Sequence, residues 1–104
     1  MNEFDRLISE IRTFAQDRNW EQFHTPKNLA MAITGEAGEL SAEFQWLTVE
    51  ESSRSSLSNE KLRDIALEMA DVQIYLLRLA DVLNIDMPSV VREKIEINET
   101  RFTK

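Results

Sequence analysis

The sequence predicts an all-α protein, and three observations carry that expectation. Apolar residues recur at three- and four-residue intervals along four segments, the segments open on capping residues or proline, and none of them requires a β-strand. Four helices with short joins and no internal repeat make a helical bundle the economical architecture, its two long helices antiparallel. The 104 residues are read as a single domain, 1–104. At this size a chain builds a core but falls short of the burial that larger domains reach, so self-association would be an unsurprising remedy.

The elements follow in order. Phe4, Leu7, Ile8, Ile11 and Phe14 give the first helix an apolar face that ends near RNWEQFH, residues 18–24. Thr25 then Pro26 reads as an N-cap and first helical position, opening a second helix expected to run through Leu47. The serine-rich stretch ESSRSSLS, residues 51–58, is a surface loop, and Ser58 caps a long third helix through Leu83. Asn84 closes that helix, and Asp86, followed by Pro88, opens the fourth.

Charge and composition exclude several functions. A formal net charge of −7 disfavours a nucleic-acid surface, which begins with a cationic patch. The absence of cysteine removes disulfides, thiolate chemistry and cysteine-based zinc sites. The opening MNEFDRLISEIR is an amphipathic helix rather than a signal segment, and no uncharged apolar run approaches the ~18 residues of a membrane span. A soluble cytoplasmic protein is the default expectation, with neither membrane nor nucleic acid as partner.

Within this frame an acidic pair at i,i+3 spacing occurs twice inside apolar surroundings: Glu36 with Glu39 in GEAGELSAEF, and Glu68 with Asp71 in ALEMADVQIYLL. Residues three apart share a helix face, and carboxylates on a packed face are costly unless a positive charge neutralises them. Antiparallel long helices would bring the pairs face to face, so that four carboxylates surround one or two hard cations. Oxygen-only donors favour Mg²⁺, with Mn²⁺ as the alternative. Gly35 and Gly38 lie beside the first pair and lower helix stability by about 1 kcal/mol each relative to Ala, which calls for a packing or functional reason such as the close approach of another backbone.

The fourth segment offers complementary charge. Lys94, Asn98 and Arg101 fall on one helical face and suit phosphate oxygens and sugar hydroxyls, although Glu93, Glu96 and Glu99 could equally pair those cations on a solvated surface. Trp46 and Tyr75 are candidates for a pocket's edge, and Trp20 and Phe23 for closing over it; stacking on a base is the functional reading and simple core the bland one. His24, the single histidine, is expected to cap or to hydrogen-bond locally rather than ligate metal.

GEAGELSAEFQW, EMADVQIYLLRLA and KIEINETRF together resemble the MazG-like all-alpha nucleoside triphosphate pyrophosphohydrolases, and RNWEQFHTPKNLAMAITGEAGEL is similar to the small dCTP pyrophosphatase branch. The likeness covers roughly residues 5–102. It implies a four-helix bundle assembling as a dimer or tetramer, with pockets built partly by a neighbouring subunit. It further implies Mg²⁺-dependent hydrolysis of a (deoxy)nucleoside triphosphate, dCTP or a modified dCTP, to monophosphate and pyrophosphate. By motif position, Glu36, Glu39, Glu68 and Asp71 take the metal and catalytic roles, with Glu36 or Glu39 as the base toward the attacking water. Lys94, Asn98 and Arg101 take phosphate and nucleotide contacts, while Trp20, Trp46 and Tyr75 surround base and sugar. Gln45 and Gln73 are candidate readers of a cytosine edge. With its end at Lys104 the chain is expected to lack the C-terminal tail of larger relatives and the second domain of tandem ones. Two rivals stand beside this reading: phosphoribosyl-ATP or another nucleotide as substrate, and a non-catalytic metal-binding helical oligomer. A ferritin-like di-iron site is disfavoured, since it needs a Glu-x-x-His on each of two helices.

Overall fold

In a computed structural model that describes residues 1–103, the chain forms α1 (Glu3–Asp17), α2 (Pro26–Ala42), α3 (Asn59–Val82) and α4 (Met87–Arg101), with no strand among the described residues. Each start has a local cause. Asn2 Oδ1 accepts the Asp5 N–H at 2.8 Å while the Asp5 carboxylate accepts the Asn2 N–H at 3.4 Å, a reciprocal capping box. Thr25 Oγ1 accepts the Asn28 N–H at 3.2 Å with Pro26 behind it, and Ser58 Oγ accepts the Lys61 N–H at 3.0 Å. Asn19 and Asn84 follow α1 and α3 at φ 56° and 58°, the left-handed conformation that asparagine tolerates better than most residues. Asp86 stands at the N-cap of α4, but its carboxylate caps no backbone N–H and instead accepts the Ser89 hydroxyl at 2.9 Å.

The second helix is shorter than its periodicity predicts. It ends at Ala42, and residues 43–47 continue as turns closed by i to i−3 bonds, Phe44 N–H to Ser41 C=O at 3.0 Å and Leu47 N–H to Phe44 C=O at 2.9 Å. The reason lies just beyond. Thr48 N–H donates to Glu51 Oε1 at 2.8 Å and Glu51 N–H to Thr48 Oγ1 at 3.1 Å, so a capping box at Thr48 takes the backbone out of the helix.

Long-range contacts define the packing. At one end of the α2–α3 pair, Glu43 meets Lys61 at 2.7 Å; at the other, His24 meets Arg78 at 3.0 Å. Numbers that rise on one helix and fall on the other make the pair antiparallel, as the sequence predicts. α1 packs on α3, where Arg12 forks onto Asp81 at 2.7 and 2.8 Å. Ala15, Leu29, Ile65, Leu77 and Ala80 form the buried core of these three helices.

α4 meets the rest at its start, in a crevice shared with Phe4 and Leu77, and makes no extended packing along any other helix. Val90, Val91, Ile95 and Ile97 are consequently exposed. The radius of gyration, 16.5 Å, exceeds the about 13 Å of a compact domain this long. Among the described residues, no helix is long and apolar enough to cross a membrane.

Gly35 and Gly38 do not meet another backbone within the chain: a Cβ at either would touch nothing within 4 Å. The expected close approach is therefore absent from the single chain. Gly38→Ala should stabilise the protein by about 0.5–1 kcal/mol in urea unfolding, the helix-propensity gain. Destabilisation would mean that a second chain lies against this face of α2.

Candidate functional site

The antiparallel register determines what the acidic pairs do. Carboxylate oxygens of Glu36 and Glu39 on α2 and Glu68 on α3 lie within 4.8 Å of one another. Glu36 and Glu68 are half-buried and Glu39 is exposed, so the cluster opens to solvent on one side. Asp71, the fourth predicted ligand, is exposed and stands outside this triad, yet it is near enough for its charge to act on both Glu36 and Glu68.

Two oxygens distinguish the cluster from a solvated acidic surface. Glu36 Oε2 and Glu68 Oε2 are both buried and have no hydrogen-bond partner. Buried carboxylate oxygens are ordinarily satisfied, because leaving one unpaired costs its full desolvation. Burial, then Glu39 and Asp71, pushes the Glu36 carboxyl above its usual range; burial, then Glu39, Asp71, Glu43 and Glu36, does the same to Glu68. Convergent, hard, oxygen-only donors with orphaned lone pairs fit a divalent cation such as Mg²⁺.

The next turn along the same helices forms a cleft of about 320 Å³ lined by Trp20, Phe23, His24, Asn28, Leu29, Ala32 and Tyr75. Ala32 lies one turn before Glu36 and Tyr75 one turn after Asp71, so the cleft and the carboxylates share one face of the α2–α3 pair. A second cavity behind it adds Asp71 to Trp20, His24 and Tyr75. The chain reaches the cleft because α1 ends at Asp17 and two turns carry residues 18–24 back across α3. Trp20 N–H bonds Ala15 C=O at 3.0 Å, and its ring stands edge-on to Phe14 and His24.

Of the predicted site residues, the structure thus brings together Glu36, Glu39 and Glu68, sets Asp71 beside them, and joins Trp20 to Tyr75. It does not bring the others to the same place within one chain. Trp46 is 87% exposed in the turns after α2 and lines none of the cavities described. Lys94 borders a shallow apolar groove on α4, Asn98 is half-buried, and the Arg101 guanidinium sits 5.2 Å from the Phe102 ring. Gln73 lines the crevice under α4 rather than the cleft, and Gln45 is exposed. His24 hydrogen-bonds as expected, but its side-chain partner is not local: it accepts from Arg78, 54 positions along the chain. Asn28 in the cleft and Arg78 in the second cavity are residues that sequence reasoning missed; a lone arginine within LLRLA, residues 76–80, is the signal that a buried cation needed an explanation.

The raised carboxyls set a pH dependence. An acid whose folded pKa exceeds its unfolded value disfavours the fold as pH rises from the unfolded pKa, near 4.3, through the folded one. Metal-free protein should therefore lose stability over that window, and Mg²⁺ should restore it by mass action. Glu68→Gln is expected to raise the metal-free melting temperature at pH 7 and to abolish the Mg²⁺-dependent rise seen in the wild type, read by scanning calorimetry. An equal response to Mg²⁺ in both proteins would contradict this assignment of the ligands.

The comparisons with known proteins bear on the same residues. The MazG-like family profile matches residues 31–103, which include both acidic pairs and α4. The chain is 43% identical over 102 residues to dCTP pyrophosphatase 1 of Homo sapiens and 40% identical over 102 residues to that of Bos taurus. Each match spans 98% of this chain but only 58% and 59% of the respective relative, so the chain covers less than two thirds of these relatives' length. The crystal structure of a pyrophosphatase from Archaeoglobus fulgidus DSM 4304 superposes with a TM-score of 0.90 at 36% identity, over all of this chain and 95% of that one. Sequence match, superposition and the conjunction of paired acids across two antiparallel helices agree: the chain belongs to the MazG-like family.

Proposed function

We propose that the protein is a Mg²⁺-dependent nucleoside triphosphate pyrophosphohydrolase that converts dCTP, or a modified dCTP, and water to the monophosphate and pyrophosphate. The observation that carries the reading is the pair of orphaned buried oxygens on Glu36 and Glu68, one and two helical turns from a cleft walled by aromatic rings. Similarity to the dCTP pyrophosphatases and to the archaeal pyrophosphatase supports the substrate class.

The residues divide the work. Trp20, Phe23 and Tyr75 offer flat apolar surfaces to a base, a contact worth about 1–3 kcal/mol per stacked base. A base held there directs its triphosphate along the α2–α3 face toward Glu36, Glu39, Glu68 and Asp71. These carboxylates alone would repel a polyanion, so they act as ligands that fix a cation's position. Bound Mg²⁺ supplies charge relief to the phosphate oxygens and favours ionisation of water. Glu36 or Glu39 accepts the proton of the water that attacks the α-phosphorus, and the bond to the bridging oxygen breaks to release pyrophosphate. No side chain becomes covalently attached.

Lys94, Asn98 and Arg101 enter this scheme from a second copy of the chain. α4 lacks an extended packing partner on its own chain, and its exposed valines and isoleucines require one. A homodimer or homotetramer would cover them and let one subunit's α4 complete another's pocket, with Trp46 ordered by the same contact.

Wild-type protein, Mg²⁺ and dCTP in ¹⁸O-labelled water should yield dCMP carrying the label and unlabelled pyrophosphate. Glu39→Gln should lower kcat/KM for dCTP by about 100-fold, the upper end of what losing even a group that supports a metal ligand costs. Label in pyrophosphate or release of inorganic phosphate would overturn attack at the α-phosphorus. A panel including phosphoribosyl-ATP decides the substrate, and no turnover of any nucleotide by a folded, Mg²⁺-loaded oligomer would favour the non-catalytic metal-binding reading.

A further inference from the structure

Arg78 is 6% exposed and is the charged side chain buried among the described residues, although the chemistry above makes no use of it. A buried guanidinium is retained only where its donors are satisfied, and here they form a chain through three elements. Arg78 Nε donates to His24 Nδ1 at 3.0 Å, and Arg78 Nη1 donates to Asp81 Oδ2 at 3.2 Å. Asp81 in turn accepts both arms of Arg12 from α1. The guanidinium has no acceptor atom, so the shared proton belongs to Arg78 and His24 Nδ1 must be the lone-pair nitrogen. Neutral His24 then carries its own proton on Nε2.

We propose that Arg78, braced by Asp81 and Arg12, is a positioning residue that locks His24 in the Nε2–H tautomer and thereby gives the Trp20–Tyr75 cleft one neutral hydrogen-bond donor for an uncharged acceptor oxygen or nitrogen of the nucleoside. The inference rests on the nucleotide reading of the cleft for its ligand, and on geometry alone for the tautomer. His24 lines the cleft among Trp20, Phe23, Leu29 and Tyr75, where an uncharged donor orients a ring that the aromatics hold without direction. A second proton would have to sit on Nδ1 facing the Arg78 guanidinium, with Arg12 beyond it; Asp81 is already shared by both arginines, and Asp71 borders the cavity behind the ring. Burial first, and Arg78 second, accordingly holds the His24 pKa below its ordinary value. The donor thus keeps a single form at neutral pH.

One histidine makes the test direct. In folded wild type with ¹⁵N-labelled histidine and arginine, two-dimensional NMR should show His24 protonated on Nε2 alone and a scalar coupling between Arg78 Nε and His24 Nδ1. Arg78→Lys, which keeps the charge but lacks the Nε–H, should lose the coupling and mix the tautomers, and should raise KM for dCTP by about tenfold, the loss of one oriented hydrogen bond. Its kcat should stay within about twofold, because the carboxylate cluster is untouched. His24 protonated on Nδ1 in wild type, or an unchanged KM in a folded Arg78→Lys, overturns the inference; where that variant does not fold, the wild-type coupling decides. Turnover of dCTP by a wild type with the wrong tautomer sinks this proposal alone. The right tautomer without turnover of any triphosphate sinks the nucleotide reading and the nucleoside as occupant, while the positioning of His24 by Arg78 stands.

Discussion

The antiparallel register of α2 against α3 is the constraint on which everything else depends. It opposes Glu36 and Glu39 to Glu68, bringing like charges from two helices within 4.8 Å and leaving two carboxylate oxygens buried without partners. No fold selected only for stability would retain that arrangement, since glutamine or an apolar residue at the same positions would remove both repulsion and desolvation. The instability is local and specific, and a divalent cation is what would relieve it. Such a local loss of stability is usual where binding groups are held in place before their ligand arrives.

The two ends of the α2–α3 pair oppose that repulsion with attraction. Lys61 holds Glu43 at one end, at 2.7 Å. At the other, Arg12, Asp81, Arg78 and His24 tie α1, α3 and the turn before α2 into one polar network. Two guanidinium groups beside it hold the Asp81 carboxyl below its ordinary pKa, so that contribution persists at neutral pH and is lost as acid protonates Asp81. The aromatic cleft is attached to this second end. The network that secures the helix pair thus also holds His24, which lines the cleft.

Much of this was legible in the chain, for physical reasons that differ by residue. Thr25, Ser58, Asn84 and the two acidic pairs are local signals, read from capping chemistry and helical spacing, and the structure bears out the helix limits they set. The overrun of α2 to Leu47 failed because apolar spacing continues past Ala42 while Thr48 and Glu51 impose a competing capping box a few residues later. Gly35 and Gly38 suggest close packing by their type, yet the single chain leaves them open. Arg78 escaped because its bond to His24 spans 54 positions, and the Asp81 it shares is held by Arg12 from 69 positions away, links that no spacing rule connects. Lys94, Asn98 and Arg101 share a face of α4 that nothing in one chain brings to the carboxylates, and helical spacing alone could not reveal that separation.

Where a cation binds decides whether the acidic cluster is a metal centre. Crystals of the full chain grown with Mn²⁺ and measured at the manganese absorption edge would locate it by anomalous scattering. The account predicts a peak among the carboxylates of Glu36, Glu39 and Glu68, within about 2.0–2.6 Å of the oxygens now without partners. Manganese bound only at other acidic surfaces, with Glu36 and Glu68 left unliganded, would contradict it.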